Sequence, residues 1–563
     1  MTATALERLP QGPARFLLVT LFALAIWLPG FATLPAIDRD ESRFAQATKQ
    51  MLETGDFIDI RFQAEPRYKK PIGIYWLQAA AVSLAGETAR DAIWPYRLPS
   101  LLGGLAALLM LVALGDRLFG APVGLVAGLL MAAVPLTGIE VRMATTDAVL
   151  LACCLVAQWA LAGIYLRRDA LRGVGQPWRH RWGEPLLFWI AIGAGILIKG
   201  PIVLLVAGGT ILGLAIMERR GAWLLDLRPL TGLATVLALV LPWFLAIMQA
   251  SDGAFADKAL GHDFLGKLTG IQESHFGPPG TYLLAFCLTF WPATLVVAFA
   301  APALWRARGD DPVRFCLAWI VPAWIAFELA LTKLPHYVLP LYPAIAVLTA
   351  QALSRLPRFV AGPQETRHRA LRNAAFAGWF GIGLALGSLG LLLPWLLGAP
   401  LPDLAWAIPV LLAIPLGFAL FAFQRAQPAA LLASLLVAAA LVAVPLYGWM
   451  LPQLDRVWLT RAVAAAVEAH RPCPDTTLLA AGYLEPSLVF TLGTQTALVA
   501  PSEAATRLSG DPRCGLALIG AAEAGPFQAR LAELGRRAHT LATVDGFNYS
   551  NGDAEHLTLF QAD

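Results

Sequence analysis

The chain alternates between long apolar runs and shorter polar segments, and this pattern predicts a series of membrane-spanning helices. A helix needs about 20 apolar residues to cross a hydrocarbon core of about 30 Å. Thirteen runs fit that requirement, at 14–34, 98–116, 120–137, 143–165, 185–199, 201–217, 229–249, 281–303, 313–331, 336–355, 373–396, 404–423 and 428–450. The two short runs on either side of Gly200 and Pro201 also fit one kinked pair. The first run is too long for a signal-peptide core, so we keep it as a helix.

The composition agrees with a multi-pass membrane protein. Of the 563 residues, 58% are hydrophobic and 14% are charged, whereas soluble domains carry about 25% charged residues. This balance excludes a soluble globular protein and a disordered chain. The net charge of +4 says little by itself, because the position of the charges matters more.

The distribution of basic residues predicts the orientation. If the N-terminus is cytoplasmic, arginines crowd the inner loops, while the short outer loops carry only Arg142, Lys199 and Lys333. This asymmetry follows the positive-inside rule. An odd number of spans then places residues 452–563 outside. All seven lysines also fall on the outer side, where compact ammonium groups suit phosphates, although an arginine-rich genome would give the same bias.

The long outer segments are 35–97, 250–280 and 452–563. In the first, an amphipathic helix is predicted over 41–52, and an apolar stretch from residue 72 is expected to lie in the membrane interface. Asp38 or Asp40 is expected to cap this helix, and Gly55 matches a C-cap glycine.

The last outer segment predicts a small α/β domain, following a transmembrane domain of residues 1–451. Hydropathy drops after residue 475, and short apolar runs alternate with helical patterns. Strands are predicted at 477–482, 497–500, 516–520 and 540–544, and helices at 485–492, 502–508 and 525–537. Cys473 and Cys514 would form a disulfide if this segment lies in an oxidising compartment, but spacing alone does not give the pairing geometry.

Acidic residues at the outer helix ends are candidates for chemistry. Asp38, Asp40 and Glu41 follow the first span directly. A carboxylate held above the membrane can act as a base or stabilise a cation, and helix capping is the alternative. Asp147 begins the fourth span, where an ionisable group is costly unless it faces a cavity or a partner such as Arg142.

Basic residues at the same level are candidates for binding a phosphate. Lys69 and Lys70 would clamp a lipid phosphate or serve as snorkelling anchors. Lys199 and Lys333 lie at outer helix ends, where a single lysine would be an anchor but several suggest a site.

Six short motifs follow one another along the chain in an order that is found in a known family. They are Asp40-Glu-Ser-Arg43-Phe-Ala, Gly55-Asp-Phe, Lys69-Lys70-Pro-Ile-Gly-Ile-Tyr75-Trp, Ala144-Thr-Thr-Asp147, Lys199-Gly-Pro and Lys333-Leu-Pro-His336-Tyr337. This series resembles the protein O-mannosyltransferase-like superfamily of glycosyltransferases, with Phe44 and Ile72 as mild departures. Within it, the length, the span number and segment 482–490 are similar to those of the bacterial lipid A 4-amino-4-deoxy-L-arabinose transferases.

The resemblance implies a GT-C fold, all-α in the membrane with about 13 transmembrane helices and a small periplasmic α/β domain. It also implies an inverting transfer of aminoarabinose from undecaprenyl phosphate to a lipid A phosphate at the periplasmic face of the inner membrane, a modification linked to polymyxin resistance. Other relatives use protein hydroxyls as acceptors, and that alternative stays open. We expect a monomer in membrane lipid, with a lipid-linked aminosugar donor, a lipid A acceptor and no nucleic-acid partner.

The resemblance also implies roles for individual residues. The expected catalytic residues are Asp40, Glu41 and Asp147; the donor-phosphate ligands are Arg43, Lys69, Lys70, Lys199 and Lys333; and the substrate-binding residues are Tyr75, Arg142, His336 and Tyr337. A monophosphate leaving group requires no cofactor, because cationic side chains can neutralise it. A divalent metal bound by His262 and His275 stays open as an alternative, although isolated loop histidines are more often surface residues.

A lipid-linked sugar transporter or flippase is the main alternative from another class. Transporters place polar groups and broken helices near the membrane midplane, often in related halves. Here the distinctive ionisable residues cluster at outer helix ends, and no repeat of halves is visible. The pattern therefore favours a transferase.

Overall fold

The computed structural model describes residue 10 and residues 12–168, 182–219, 221–257, 277–356 and 366–563. Its α-helices of six residues or more, numbered along the chain, are α1 Ala14–Trp27, α2 Asp40–Thr54, α3 Gly73–Ala85, α4 Trp94–Phe119, α5 Ala121–Ala133, α6 Pro135–Glu140, α7 Asp147–Leu166, α8 Gly183–Lys199, α9 Ile202–Glu218, α10 Pro229–Ala250, α11 Thr281–Thr289, α12 Thr294–Arg306, α13 Asp311–Leu329, α14 Tyr342–Ser354, α15 Thr366–Gly387, α16 Leu389–Leu396, α17 Ala407–Gln424, α18 Pro428–Pro445, α19 Leu459–Ala469, α20 Pro486–Leu492, α21 Pro501–Gly510 and α22 Ala524–Glu533. The strands are β1 Arg61–Phe62, β2 Glu65–Pro66, β3 Leu478–Ala481, β4 Ala497–Leu498, β5 Leu516–Gly520, β6 Ala538–Asn548 and β7 Asp553–Ala562.

The helical part is an integral membrane structure. Seven of the helices in the described ranges are long and apolar enough to span a membrane, and α15 with α16 forms an eighth if this pair, bent by 58°, counts as one span. Five further apolar helices are shorter. The total of 13 spans therefore stays a prediction, whereas a helical multi-pass architecture is confirmed.

The break expected at Gly200 and Pro201 separates α8 from α9. Gly200 has a φ of 70°, a conformation that glycine adopts without a Cβ penalty. Pro201 lacks an N–H, so a helix cannot continue through it with a full set of hydrogen bonds. The break places the end of α8 and the start of α9 at one end of the bundle, beside the start of α7, where Lys199 meets Asp147.

The amphipathic helix expected after the first span is α2. It ends at Gly55, whose φ is 73° and whose N–H donates to the carbonyl of Met51. The expected cap by Asp38 or Asp40 is wrong, because Arg39 occupies the N-cap position and makes no side-chain cap hydrogen bond.

The C-terminal segment forms a five-stranded sheet in the order β4-β3-β5-β7-β6. β3 pairs in parallel with β4 and β5, and β7 pairs antiparallel with β5 and β6. Alternate residues of β3 and β5 enter two apolar clusters on opposite faces of the sheet. Both faces are therefore covered, which explains why these strands are continuous apolar runs.

The predicted strands all appear, but the sheet has one more. The strand expected at 540–544 is the middle of the longer β6, and the helix expected at 525–537 ends at Glu533. β7 was missed, and it pairs with β6 along its length. Cys473 and Cys514 form a disulfide with their Cα atoms 5.3 Å apart. The boundary between a transmembrane domain and a domain of residues 452–563 stays a prediction.

Candidate functional site

Asp40 lies at the first position of α2 with its side chain exposed. The residue before it, Arg39, has φ 68° and ψ −108°, a region that L-residues with a Cβ rarely occupy. Such backbone strain persists only where the surroundings hold it. The structure therefore presents the Asp40 carboxylate from a fixed and strained turn.

Glu41 points the other way, into the protein. It forms a fully buried ion pair with Arg97, with Nε to Oε1 at 2.8 Å and Nη2 to Oε2 at 2.9 Å. The N–H groups of Ile37 and Ala144 also donate to this carboxylate. With four hydrogen bonds on a buried carboxylate, the geometry fits Glu41 as a group that fixes the turn below Asp40.

Arg97 binds backbone as well as Glu41. Its guanidinium donates to the carbonyls of Phe31, Leu34 and Pro35 at 2.8–2.9 Å. It therefore ties the segment that follows α1 to α4. Sequence analysis missed Arg97, because nothing local links it to an acidic residue 56 positions away.

Asp147 and Lys199 form the second buried pair at this end. Their Oδ1 and Nζ atoms are 2.5 Å apart, and both side chains are less than 10% exposed. Asp147 begins α7 and Lys199 ends α8, which are favourable positions for an acid and a base relative to the helix dipoles. The expected partner of Asp147 was Arg142, and the structure gives Lys199 instead.

Glu140 and His336 extend this cluster. His336 Nδ1 lies 3.8 Å from Glu140 Oε1, and the hydroxyl of Thr145 donates to Glu140 Oε2. The Tyr337 ring lies beside Lys199, with Nζ 5.5 Å from its centroid. Sequence analysis named His336 and Tyr337 but missed Glu140, a single acid before an apolar run.

The charges of this cluster act on one another. Burial raises the pKa of the Glu140 carboxyl, and the negative charge of Asp147 raises it further, while Lys199 opposes both. Asp40 also acts on Glu140 electrostatically. The Asp40 carboxylate is therefore close enough to the buried cluster for its charge to act on Glu140.

The first outer segment carries several of the predicted phosphate-binding and substrate-binding residues. The ammonium group of Lys70 donates a hydrogen bond to the carbonyl of Lys69 at 3.0 Å. Tyr75 is fully buried and packs on Phe44. Arg67, which the sequence did not single out, lies with its guanidinium 4.8 Å from the centroid of the same Phe44 ring.

The remaining predicted residues lie elsewhere or outside the described ranges. Lys333 donates to the carbonyls of Glu328 and Ala330, so it closes the end of α13. Arg142 is buried and donates to backbone carbonyls, with its guanidinium 4.1 Å from the centroid of the Tyr447 ring. Arg43 is half-buried on α2.

The metal alternative is untested. His262 and His275 lie outside the described residues. Within the ranges that the structure describes, no three His, Cys, Asp or Glu side chains cluster as metal ligands would.

The C-terminal sheet contacts the turn that carries Asp40. The N–H of Asp38 donates to the hydroxyl of Tyr549 at 2.7 Å, and Arg39 Nη2 donates to the carbonyl of Ser550 at 3.1 Å. Farther along α2, Gln46 donates to the hydroxyl of Thr494. The C-terminal segment therefore packs against the turn before Asp40 and, separately, against the middle of α2.

Asp38 is buried in this contact. Burial raises the pKa of its carboxyl to about 6, and the negative charge of Glu485 adds to the effect, while hydrogen bonding to Ser487 and Tyr549 lowers the pKa. The hydroxyl of Tyr483 faces the same carboxylate at 3.4 Å.

Comparisons with known proteins confirm the resemblance. The family profile of dolichyl-phosphate-mannose-protein mannosyltransferases matches residues 69–245. An undecaprenyl phosphate-α-4-amino-4-deoxy-L-arabinose arabinosyl transferase of Pseudomonas aeruginosa (strain LESB58) is 28% identical over 60% of this chain. A relative of the same name from Pectobacterium atrosepticum is 28% identical over 67% of the chain. These matches span 57% and 65% of the relatives' own lengths.

Solved structures confirm the fold. ArnT from Cupriavidus metallidurans bound to undecaprenyl phosphate superposes with a TM-score of 0.73 over 98% of both chains, at 17% identity. The apo Archaeoglobus fulgidus oligosaccharyltransferase reaches a TM-score of 0.50 over 96% of this chain and 74% of its own, at 11% identity. The helical GT-C-like fold predicted from the motifs is therefore confirmed over nearly the whole chain.

Proposed function

We propose that the chain is an inverting glycosyltransferase that moves 4-amino-4-deoxy-L-arabinose from undecaprenyl phosphate to a lipid A phosphate. The observation that carries the proposal is the exposed Asp40 above the buried pair of Asp147 and Lys199. This site lies in a chain whose fold matches ArnT and whose relatives bear the arabinosyl transferase name. The same features support an enzyme active at the periplasmic face of the inner membrane.

The orientation rests on two independent observations. Among the short loops, arginines concentrate in those predicted to lie at the opposite end from Asp40, whereas the short loops at its own end carry only Arg142, Lys199 and Lys333. The positive-inside rule then assigns the arginine-rich loops to the cytoplasmic face. The disulfide between Cys473 and Cys514 joins the C-terminal segment, and disulfides persist in oxidising compartments such as the periplasm. Both support an outward-facing Asp40.

The proposed reaction is a displacement at the anomeric carbon. An oxygen of the acceptor phosphate forms a bond to that carbon as the bond to the undecaprenyl phosphate oxygen breaks, and undecaprenyl phosphate leaves. The leaving group gains negative charge in the transition state, so cations held nearby stabilise it. Lys69, Lys70 and Arg43 on the first outer segment are the proposed ligands, and the chemistry requires no metal.

Asp40 acts on the sugar side of this displacement. An acceptor phosphate is already ionised near pH 7, so a general base is hardly needed. Asp40 therefore orients the acceptor or stabilises the positive charge that develops on the sugar ring. The buried cluster of Glu140, Asp147, Lys199 and His336 forms the polar floor under the sugar, and its carboxylates suit the donor's amine.

Mass spectrometry of lipid A tests the function. Cells that produce the wild-type protein are expected to show a mass gain of one pentosamine on lipid A, and cells that produce Asp40→Asn are expected to show none at equal protein levels. Glu87→Gln is the matched control, because Glu87 is an exposed carboxylate of the same outer segment. A pentosamine gain in Asp40→Asn cells would remove Asp40 from the mechanism.

A protein acceptor is the second candidate, and the mannosyltransferase profile over residues 69–245 favours it. Purified enzyme given donor with lipid A, and separately with an unfolded protein, distinguishes the two. Transfer to the protein alone would replace the lipid A proposal. Movement of labelled lipid across vesicles without any sugar transfer would favour a flippase.

A further inference from the structure

The turn between β6 and β7 of the C-terminal sheet lies against the strained residue that precedes Asp40. Tyr549 accepts a hydrogen bond from the N–H of Asp38, and the carbonyl of Ser550 accepts one from the guanidinium of Arg39. Both residues belong to that turn, which is separated from Asp40 by more than 500 positions in sequence.

Arg39 needs an external support. Its φ of 68° and ψ of −108° are the mirror image of an ordinary extended conformation, which only glycine occupies freely. An L-residue held there costs about 1–3 kcal/mol. Without contacts on both sides, the turn would relax and the first residue of α2 would change direction.

The inner support comes from Glu41, which accepts the N–H of Ile37 and is anchored by Arg97. The outer support comes from Tyr549 and Ser550. The Tyr549 ring is itself fixed, since it packs edge-on against Trp458 at 6.0 Å. The turn is therefore supported both by the buried pair of Glu41 and Arg97 and by the β6–β7 turn.

We infer that the β6–β7 turn of the C-terminal sheet, through Tyr549 and Ser550, is a positioning device that holds Arg39 in its strained conformation and thereby aims the Asp40 carboxylate. The inference rests on the proposed role of Asp40. It gives the C-terminal segment a part in turnover, through positioning residues that touch neither donor nor acceptor.

Two substitutions of Arg39 distinguish a role in supporting the strained turn from a direct contact between its guanidinium and the substrate. Arg39→Ala removes the guanidinium but keeps a Cβ, so the strain stays while one support is lost. Arg39→Gly removes the same guanidinium and also the strain. In a transfer assay with purified full-length enzyme, undecaprenyl phosphate-linked aminoarabinose and lipid A, Arg39→Ala is expected to lower kcat at least about 5-fold. Arg39→Gly is expected to stay close to wild type.

Replacing Tyr549 tests the other support. Tyr549→Phe keeps the ring packing and removes only the hydroxyl, which accepts the Asp38 N–H and also hydrogen-bonds with the Asp38 carboxyl group. We expect kcat to fall about 3- to 10-fold with an unchanged KM for the donor, and we expect Arg39→Gly to restore most of that loss in the double variant. Thr494→Ala is the matched control, because it removes a contact between the same segments near the far end of α2 and should leave kcat unchanged.

Three results would overturn the inference. Equal activity of Arg39→Ala and Arg39→Gly would show that strain at this residue does not matter. Wild-type kcat in Tyr549→Phe would show that the turn does not aim Asp40, and a rise in KM alone would indicate substrate binding instead. Full activity of Asp40→Asn is a separate failure, since it would refute the role of Asp40 itself.

Discussion

The buried pair of Glu41 and Arg97 gives the sharpest stability prediction. Arg97→Met removes the charge and all five hydrogen bonds of the guanidinium. It leaves Glu41 as a fully buried carboxylate with only the N–H groups of Ile37 and Ala144. Breaking a buried ion pair from one side costs about 3–5 kcal/mol, so we expect a loss of that size in the free energy of unfolding.

Replacing both partners should not recover this loss. In many proteins an apolar pair of similar volume substitutes well for a buried ion pair. Here the pair also satisfies three carbonyls and two N–H groups of the backbone, and each group left unpaired costs about 1–3 kcal/mol. The double variant Glu41→Leu with Arg97→Met is therefore expected to stay several kcal/mol below wild type.

Reversible unfolding in mixed micelles of a mild detergent and SDS measures these differences. The matched control is Arg90→Ala, since Arg90 and Glu87 form an exposed pair 3.5 Å apart, and such pairs contribute less than about 1 kcal/mol. An Arg97→Met variant as stable as the control would refute the structural role of Glu41. A double variant as stable as wild type would refute the argument from the five backbone groups.

Three further predictions concern other parts of the chain. Lys199→Met should abolish transfer and lower stability, whereas Lys199→Met with Asp147→Asn should recover stability without transfer; unfolding and lipid A mass spectra measure the two effects. Cys473→Ser should lower the free energy of unfolding by about 4 kcal/mol, because the disulfide to Cys514 closes a loop over 41 positions. An unchanged unfolding curve in oxidising buffer would contradict this prediction. Folding raises the pKa of the Asp38 carboxyl from 3.8 to about 6, so the folded protein keeps a proton that the unfolded chain has lost. The free energy of unfolding should therefore fall by at most about 3 kcal/mol as the pH rises from 4 to 6. Asp38→Asn should flatten this pH profile in thermal unfolding.

Local patterns predicted the elements of the chain well. The 3.6-residue period and Gly55 gave α2 nearly to its ends, and the short apolar runs gave β3, β4 and β5. β7 was missed, because its outer half, Asp553–His556, is polar and its partner β6 is what makes it a strand. The N-cap of α2 was also predicted wrongly. Arg39 takes that position in a strained conformation, which contacts with residues distant in sequence support.

Pairing of charges was the part that sequence could not supply. Asp147 was recognised as an ionisable residue in need of a cavity or a partner, but the partner suggested was Arg142 rather than Lys199. Which one reaches it depends on how α7 and α8 pack. Glu140 and Arg97 were missed for the same reason, since each is isolated in sequence and acquires its role from a residue on another helix.

The two ends of the helical bundle use the same residue types for different purposes. At the end opposite Asp40, Glu218 is shared by Arg168 and Arg314 at 2.7 and 2.8 Å, and Asp311 joins both arginines. Because these four side chains neutralise one another, they hold the helices together and leave little net electrostatic potential to attract a charged ligand. At the other end the buried pairs lie beneath Asp40, which is exposed on a strained turn. A strained residue costs free energy in the resting state, so its position beside the exposed Asp40 is not explained by stability alone. This asymmetry supports our proposal that the chemistry takes place at the end that carries Asp40.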